Sequence, residues 1–535
     1  MPPLDPLPAS DPPPASPSSD ASATEVYAIH GADPEVLAYA MAKYSRSALS
    51  MKQSLLELNA QRAEQFLNTF YFQYGHRSIA DLAHIAFAVE RLSLLAAIVL
   101  VDEQRWDGQE RSTRYQDFKK SGWYLPAFGS NQQARQLYTR QIEKLFASYE
   151  EISRGAIELL RSQVPRPAEM KQEAYDRTLR ARAFDGARYL LPLAANTSLG
   201  EIVNARTLET QVSRLLSQPH AEVRRLGEKL REAAATPCWN VQRAALEDLQ
   251  RDIAAVDPVL GKRAEELLLR EVAVAPTLVK YAAPVEYIQK TRVELEQAAL
   301  ELMESAPIQP SPLVDLVENQ LDGGERESME IEIVTTLLYG ACHYSYRQIR
   351  ERVCALDAPR RDELLLLGTQ HRGRHDELLR AFSSGYQLRF DILMDIGGFR
   401  DMHRHRRCVQ TLQSFTNLHD YDVPELIANS NLRQPYEQAV REAHAAFETL
   451  SQMDIPEAKE TAQYLLPLGT RCRSLFKMDF AEALYIAELR SAPQGHISYR
   501  RVAWEMYEAI AKHHPALAKD FRITDVNIPI DPLQR

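Results

Sequence analysis

The chain has 535 residues, which is too long for one ordinary hydrophobic core, so we expect two or more domains. Hydrophobic residues make up 45% and charged residues 25% of the sequence, as in soluble globular proteins. The net charge of −10 and the pI near 5.9 argue against specific nucleic-acid binding, which uses a basic face. A phosphate-bearing small molecule held by a local arginine cluster remains compatible with them.

The N-terminal residues and the cysteines indicate where the protein works. Residues 1–24 are rich in Pro, Ser and Asp and contain no Lys or Arg, so we expect a disordered tail rather than a targeting peptide. The five cysteines are scattered and form no CxxC pair. This pattern is typical of the reducing cytoplasm and argues against a disulfide framework or a zinc site.

The apolar segments predict many helices and a modest sheet. EVYAIH (25–30) and IEIVTTLLY (331–339) have β-type composition, whereas SLLAAIVLV (93–101) predicts a buried helix or strand. This last run is too short to span a bilayer, and we expect no membrane association. VAWEMYEAI (502–510) predicts a helix with apolar residues four apart on one face. The predicted fold class is therefore α+β, helix-rich.

Two segments of the chain recur in the same order. ARYLLPL (187–193) returns as AQYLLPL (462–468), and RLLSQPHAEVRRL (214–226) aligns with RSAPQGHISYRRV (490–502). The offsets, 462 − 187 = 275 and 490 − 214 = 276, are nearly equal, which indicates a duplication. We predict two tandem domains, each a small β-sheet packed with helices, with these boundaries: 25–275, a linker region at 276–312, and 313–535.

Each half contains a polar segment with a distinctive set of donors. MHRHRR (402–407) concentrates cationic side chains and histidines directly after an apolar run. In the first half, Glu110, Ser112 and Arg114 alternate, so they point the same way if the segment is extended. An acceptor, a hydroxyl and a guanidinium on one edge suit a sugar hydroxyl and a phosphate. A solvated charged face is the alternative interpretation of the cationic run.

These segments resemble the signature R-H-R-x-x-S-x-N/Q-E-x-S-x-R-Y of flavin-dependent thymidylate synthases, the ThyX family. The first half matches the later part of the signature at Gln109, Glu110, Ser112, Arg114 and Tyr115. The second half supplies R-H-R at Arg404, His405 and Arg406 and keeps Ser414. The positions that depart are Asp102, Glu103 and Gln104 in the first half, and Thr416 and Asn417 in the second. Each half has kept what the other has lost.

Outer positions of the family also match the first half. The family's G-H-x-S, A-R-x-x-L-P and N-A-R motifs correspond to His76 and Ser78, to Arg188, and to Asn204 and Arg206. The late L-R arginine, which contacts the pyrimidine in the family, is similar to Arg214 in the first half and Arg490 in the second. The second half has replaced the other outer positions with Gln463, Asp479 and Ala481.

The resemblance implies a thymidylate synthase-like methyltransferase. The family moves a methylene group from methylenetetrahydrofolate to C5 of dUMP, reduced FAD supplies the hydride, and NADPH recharges the flavin. The resemblance therefore implies FAD as cofactor, methylenetetrahydrofolate and NADPH as cosubstrates, and dTMP biosynthesis in the cytoplasm. Because the family is a homotetramer with sites shared between subunits, a tandem chain is expected to form a homodimer, with an active site composed from both halves.

The resemblance also implies roles for individual residues. Pyrimidine activation would fall to Arg490, with Arg214 second, since a guanidinium is planar and stays charged. The implied substrate-binding residues are Glu110, Ser112, Arg114, Tyr115 and Arg188. The residues implied to face FAD and nucleotide phosphates are Arg404, His405, Arg406, His76, Ser78, Gln109, Asn204 and Arg206.

Several residues have alternative interpretations. Arg188 and Arg206 are also compatible with helix ion pairs, and His76 with a buried core histidine. His371 and His375 have the i, i+4 spacing of a helical metal pair. That segment lacks the carboxylate of HExxH and contains a central Gly, so we expect no metal site.

Two other functions stay open. A non-catalytic nucleotide- or flavin-binding scaffold derived from the enzyme is favoured by Asp102 and Glu103, because a carboxylate repels a phosphate. A flavoenzyme that acts on another pyrimidine nucleotide is the third possibility.

Overall fold

The computed structural model describes most of the chain. The described residues are 27, 29, 31–43, 51–57, 77–118, 121–304, 306–317, 325–373, 379–382, 388–513, 515–518, 521–528 and 533. The predicted tail at 1–24 lies outside them, as do all residues of the predicted strand EVYAIH except Tyr27 and Ile29. Within the described residues, no helix combines the length and the apolar character needed to cross a bilayer.

The first half is built on a three-stranded antiparallel sheet. Its strands are β1 (His84–Ser93), β2 (Trp106–Glu110) and β3 (Asn196–Asn204), in the order β1-β3-β2. The α-helices are α1 (Pro34–Lys43), α2 (Met51–Glu57), α3 (Leu94–Leu100), α4 (Gln132–Gln163), α5 (Gln172–Ala187), α6 (Ala205–Leu216), α7 (Ala221–Ala235), α8 (Arg243–Val256) and α9 (Pro258–Leu268).

The second half has a four-stranded antiparallel sheet. Its strands are β4 (Val314–Leu316), β5 (Leu388–Asp395), β6 (Val409–Leu412) and β7 (Arg471–Met478), in the order β4-β5-β7-β6. The α-helices are α10 (Glu286–Met303), α11 (Glu325–Tyr339), α12 (Tyr346–Cys354), α13 (Ala358–Leu367), α14 (Ile396–Met402), α15 (Glu425–Ala428), α16 (Arg433–Ser451), α17 (Ala458–Gln463), α18 (Phe480–Ser491), α19 (Ile497–His513) and α20 (Pro515–Ala518).

The two halves repeat one topology, which confirms the predicted fold class and the tandem arrangement. In each half, a long strand leads directly into a short buried helix, and a third strand inserts between the first two. The short helices α3 and α14 are capped at equivalent positions by Ser93 and Asp395, whose side chains accept a hydrogen bond from the first-turn backbone. SLLAAIVLV is therefore the buried helix α3, and VAWEMYEAI lies within α19, as predicted.

The repeated Leu-Pro segments join the halves around an approximate twofold axis. The Leu193 N–H donates to the Leu466 carbonyl at 2.9 Å, and the equivalent Leu468 N–H donates to the Leu191 carbonyl at 2.9 Å. Pro192 pairs with its own counterpart, Pro467, at the axis. One large hydrophobic core contains residues of both halves. The arrangement therefore resembles a dimer folded from one chain.

The region between the halves is more ordered than a linker. The helix α10 occupies residues 286–303 of the predicted linker region and packs against α11 and α12 in a smaller core. The β-type prediction for IEIVTTLLY was wrong, since these residues form α11. Ile331, Val334 and Leu338 are spaced for one helical face and are buried there, so burial on a helix outweighed the β-branched composition.

Candidate functional site

The R-H-R segment of the second half follows a helix whose start is fixed by an aspartate. The carboxylate of Asp395 accepts a hydrogen bond from the Gly398 N–H at 2.6 Å, which caps α14. After α14 the chain turns, and the three residues of the motif enter different environments. Arg404 is exposed, His405 is buried and Arg406 is half-buried.

His405 connects this segment to the late arginine of the same half. Its Nε2 accepts a hydrogen bond from Nε of Arg490 at 2.8 Å, and its Nδ1 lies 3.5 Å from Oε1 of Glu482. Burial lowers the pKa of His405, so the ring is neutral at neutral pH, and we assign its proton to Nδ1 because Nε2 is the acceptor. Glu482 and His405 thereby fix the orientation of the Arg490 guanidinium, whose pKa burial also lowers.

The E-x-S-x-R-Y segment of the first half faces the second half. Glu110, at the end of β2, forms an ion pair with Arg400 of α14, and both side chains are almost fully buried. The Ser112 Oγ accepts a hydrogen bond from the Arg114 N–H at 3.2 Å, which tightens the turn after the strand. Tyr115 is exposed. The segment is therefore anchored at Glu110 and turns Arg114 inwards.

Arg114 binds groups from both halves. Its Nε donates to Oδ1 of Asp185 at 2.9 Å. Its Nη1 donates to the Tyr499 hydroxyl at 2.9 Å, and its Nη2 donates to the Gln494 carbonyl at 3.0 Å. Burial would raise the pKa of Asp185, but the charges of Arg114 and Arg188 outweigh this effect and hold the pKa below its usual value.

Arg188 is the most deeply buried of the predicted substrate-binding residues. It is 1% exposed, and its Nη1 lies 3.7 Å from Oδ2 of Asp401 while its Nε lies 3.7 Å from Oδ1 of Asp185. Burial would raise the pKa of Asp401. Four guanidiniums outweigh this effect and hold the pKa of Asp401 below its usual value, namely those of Arg188, Arg404, Arg114 and Arg490.

The ring of Tyr499 contacts an arginine of each half. The Cζ of Arg114 is 5.7 Å and the Cζ of Arg490 is 5.6 Å from the ring centroid. Burial raises the pKa of Tyr499, so its hydroxyl stays protonated at neutral pH. His496 lies 3.8 Å from Asp185, but burial lowers its pKa to about 3, so this contact is not an ion pair at neutral pH.

Five arginines therefore converge, and we call Arg114, Arg188, Arg400, Arg404 and Arg490 the composite arginine cluster. Two come from the first half and three from the second. Nε and Nη2 of Arg188 and Nε of Arg400 are buried and lack a hydrogen-bond partner among the described residues. Buried charged donors are normally satisfied, so the cluster can bind an anion with several oxygen atoms.

Sequence reasoning missed the carboxylates of the cluster and one arginine. Arg400 and Asp401 directly precede the run MHRHRR (402–407), and their equivalents in the first half are the apolar Ile98 and Val99. This difference between the copies was a usable signal. Asp185 is three residues before Arg188, a helical spacing that was also a usable signal, whereas its contact with Arg114 depends on how the first half folds.

The arginine equivalent to Arg490 has a different environment. Nη1 of Arg214 donates to the Val99 carbonyl at 2.8 Å, and its Nη2 donates to the Leu100 carbonyl at 3.3 Å, at the end of α3. Its Nε lies 3.9 Å from Glu103. Arg214 thus satisfies helix-terminal carbonyls, and the structure does not bring it into the composite arginine cluster.

The acidic replacements of R-H-R in the first half are also paired. Asp102 forms an ion pair with Arg380, which holds the pKa of Asp102 well below its usual value although burial would raise it. Gln104 donates to the Cys408 carbonyl at 3.5 Å. Exchanging the roles of the two halves defines a second region, equivalent to the composite arginine cluster. Internal ion pairs occupy this second region. We call this region, lined by Asp102, Glu103, Arg214 and Glu201, the acidic counterpart site.

Glu201 gives the acidic counterpart site a testable pH dependence. It is 2% exposed, and burial raises its pKa from 4.5 to about 7. The native state therefore keeps the proton between about pH 4.5 and pH 7, and the free energy of unfolding falls as pH rises through this range. We expect Glu201→Gln to stabilise the protein by about 1–3 kcal/mol at pH 8 and little at pH 5, measured by urea unfolding. An equal effect at both pH values would contradict the assignment.

The remaining predicted residues lie apart from the composite arginine cluster. Asn204 caps α6, accepting a hydrogen bond from the Thr207 N–H at 2.8 Å. Arg206 pairs with Asp81 at 3.1 Å, as in the helix ion-pair interpretation. Gln109 is exposed on β2.

Arg406 also has an ion-pair partner, because its Nη2 lies 2.8 Å from Asp107 of the first half. His76 lies outside the described residues. Ser78 lies in a 3₁₀ helix, and its side chain is likewise not described.

No metal site is found in the described part of the chain, where no group of three His, Cys, Asp or Glu side chains could hold an ion. His371 lies 2.7 Å from Glu294, and His375 is outside the described residues.

Relatives extend along nearly the whole chain. A UPF0159 protein of Chlamydia muridarum is 28% identical over 92% of this chain and 90% of its own length. A flavin-dependent thymidylate synthase of Clostridium tetani is 22% identical over 39% of this chain and 85% of its own length. The structure of ThyX from Helicobacter pylori with FAD and dUMP matches 37% of this chain and 88% of that chain, with 18% identity. Its TM-score of 0.25 is too low to place any residue by analogy.

A family model described as thymidylate synthase complementing protein matches residues 28–238 and 337–516. The two matched segments cover more than half of the chain and fall one in each half of the fold. The chain therefore belongs to the thymidylate synthase complementing protein family, the ThyX family.

Proposed function

We propose that this protein is a flavin-dependent thymidylate synthase-like methyltransferase. Its substrate would be dUMP, with methylenetetrahydrofolate as the one-carbon donor and NADPH as the reductant. One observation carries the proposal: Arg114 of the first half and Arg490 of the second both contact the ring of Tyr499, and Arg490 is hydrogen-bonded to His405 of the R-H-R segment. This chain of contacts links the motif parts that the two halves have separately retained.

The composite arginine cluster suits phosphate-bearing ligands. Arg188 and Arg400 have buried guanidinium nitrogens without partners among the described residues, and a phosphate oxygen would satisfy them. Arg404 is exposed at the edge of the cluster and could hold a diphosphate such as that of FAD. The donor set is therefore compatible with both a nucleoside monophosphate and FAD.

Different residues of the site would bind different parts of the nucleotide. Arg114 and Arg188 would bind the nucleotide phosphate, while Arg490 would face the pyrimidine carbonyls, where negative charge develops as C5 becomes nucleophilic. His405 and Glu482 would keep Arg490 oriented, so that little reorganisation is needed as that charge appears. FAD, when bound and reduced, supplies the hydride.

A specific observation also supports the scaffold alternative. Asp185 and Asp401 already lie beside the arginines, so the cluster could be a structural ion-pair network that holds the halves together. A flavoenzyme acting on another pyrimidine nucleotide would use the same phosphate contacts. Both alternatives are separated from the main proposal by the products formed.

We further propose the organisation of the whole protein. The domain boundaries remain those predicted, 25–275 and 313–535 with the region 276–312 between them. Two tandem chains would associate as a homodimer, and the protein would act in the cytoplasm.

The decisive experiment combines flavin analysis, dTMP formation and mixing of variants. We expect the purified protein to contain FAD and to convert dUMP to dTMP. Arg114→Ala and Arg490→Ala should each lose nearly all activity, and their mixture should not recover it because both side chains serve one site within one chain. Recovery of activity on mixing would place the site between chains, and bound FAD without dTMP would favour another substrate. Absence of both flavin and dUMP binding would favour the scaffold.

A further inference from the structure

A two-helix hairpin extends from the first half, and the described residues of the second half have no equivalent. The helices α8 and α9 are joined by Asp257 alone, which caps α9 through hydrogen bonds from the first-turn backbone. At the base of the hairpin, Pro237 pairs with Ala273, and the Cys238 N–H donates to the Val272 carbonyl at 2.8 Å. The hairpin also lies outside both segments matched by the family model.

The hairpin buries almost nothing against the other residues that the structure describes. No residue of α8 is buried, and in α9 only Gly261 is. Seven large apolar side chains of the hairpin and its base are exposed, namely Trp239, Val241, Leu249, Val256, Val259, Leu260 and Leu267. Short helices need tertiary burial to be stable, and a continuous exposed apolar surface marks an interaction site.

The contact between the two helices defines their inner sides. Nε2 of Gln250 donates to the Gly261 carbonyl at 3.2 Å. A Cβ on Gly261 would lie 2.4 Å from that of Ala254, so the helices touch at this point. Gln250 and Ala254 of α8 therefore face Gly261 of α9.

Helical periodicity places the exposed leucines and one valine on a single face. Leu249 and Val256 are seven residues apart on α8, as are Leu260 and Leu267 on α9. Each pair lies about a quarter to a third of a turn from the inner side of its helix. Because the helices are antiparallel, both pairs lie on the same side of the hairpin, which we call the hairpin face.

The apolar residues of the hairpin face form two layers. Val256 and Leu260 lie one and three residues from Asp257, near the tip, and Leu249 and Leu267 lie eight and ten residues from it, near the base. Each layer thus has one side chain from each helix at a similar height. If α8 packs on α9 of a second copy with both tips pointing the same way, each layer doubles and closes a four-helix core.

The charges at the edges favour this pairing. Asp252 borders the apolar stripe of α8, and Arg263 borders that of α9 on the opposite edge of the face. They lie five residues before and six residues after Asp257, so they are at nearly equal heights. A twofold axis along the hairpin brings Asp252 beside Arg263 of the second copy, twice per dimer. Packing α8 on α8 would instead bring the aspartates together.

We propose that the hairpin face binds the hairpin face of a second copy of this chain, forming an intermolecular four-helix bundle. This inference rests on the proposed homodimer and assigns its interface. It does not require that the protein is an enzyme.

The first test measures mass in solution by light scattering after size exclusion. The wild type should have twice the 60.8 kDa of one chain, and Leu249→Asp combined with Leu267→Asp should have the mass of one chain. The matched control is Leu300→Asp, which changes an equally exposed leucine on α10 and should leave the dimer intact. Circular dichroism and the midpoint of thermal unfolding check that each variant is folded.

The second test uses charge reversal and measures the dimer dissociation constant by analytical ultracentrifugation. Asp252→Arg and Arg263→Asp should each raise that constant at least about 10-fold, because like charges then meet. The double variant should return it to within about threefold of the wild type, which a merely unfolded hairpin would not do.

Three results would overturn the inference. If the wild type has the mass of one chain, both the homodimer and its proposed interface are wrong. The hairpin face would then bind a different partner. A dimer that survives Leu249→Asp with Leu267→Asp would keep the homodimer but place its interface elsewhere. A double charge reversal without recovery would exclude the pairing of α8 with α9. Flavin content and dTMP formation test the enzymatic proposal separately.

Discussion

Replacing Arg490 by Ala should lower the turnover of dUMP by about 10²–10³-fold while the protein stays folded and keeps its flavin. The guanidinium is held by the neutral His405 and lies beside the Tyr499 ring, so its removal takes away a preorganised cation rather than a structural ion pair. Steady-state rates of dTMP formation, with the flavin spectrum as the check on cofactor binding, measure the effect. Arg490→Lys should recover little, because an ammonium cannot reproduce the planar fork.

The chain supplies its own control in Arg214, the equivalent arginine of the first half. Arg214→Ala should cost about 1–2 kcal/mol of unfolding free energy, because two helix-terminal carbonyls lose their donor. Its effect on turnover should be small, within about threefold. If Arg214→Ala reduced turnover as strongly as Arg490→Ala, the acidic counterpart site would be the working one, and the assignment of the composite arginine cluster would be wrong.

The contrast between these arginines shows what the sequence could predict. The repeat and the complementary motifs are local patterns, so the two halves could be predicted from the recurring segments, and the family resemblance from the identity of the motif residues. Both arginines matched the same family position, and only the residues that pack around them separate their roles. Glu103 and the end of α3 surround Arg214, whereas His405 and Tyr499 surround Arg490.

The carboxylates of the composite arginine cluster mark the limit of sequence reasoning. Asp185 lies in α5, in a pattern that fits an ordinary helix ion pair, and it contacts Arg114 only because the loop after β2 folds against that helix. Asp401 approaches Arg188 across the interface between the halves. Contacts between residues so far apart in sequence depend on the packing of whole elements, which periodicity does not encode.

Arg188→Gln should be among the most disruptive substitutions in the cluster, because it removes the guanidinium between two carboxylates. Asp185 and Asp401 would each lose a neighbouring charge in a buried place, so we expect a loss of about 3 kcal/mol in unfolding free energy. Binding of dUMP should also fall below detection by calorimetry. In the repeat, the second-half equivalent of Arg188 is Gln463, and the first-half equivalent of Asp401 is Val99. The counterpart of this ion pair has therefore lost both the arginine and the carboxylate.

The joint loss of Arg188 and Asp401 at the counterpart positions suggests a double variant that separates the effect on unfolding free energy from the effect on dUMP binding. Adding Asp401→Val to Arg188→Gln recreates the combination found in the chain's own counterpart, and it should recover at least about half of the lost stability, since a buried ion pair can be replaced by apolar groups at little cost. Binding of dUMP should not recover, because the phosphate would still lack the donors of Arg188. A double variant no more stable than Arg188→Gln would show that Asp401 does not depend on Arg188. Full dUMP binding by the double variant would show that the phosphate is held elsewhere.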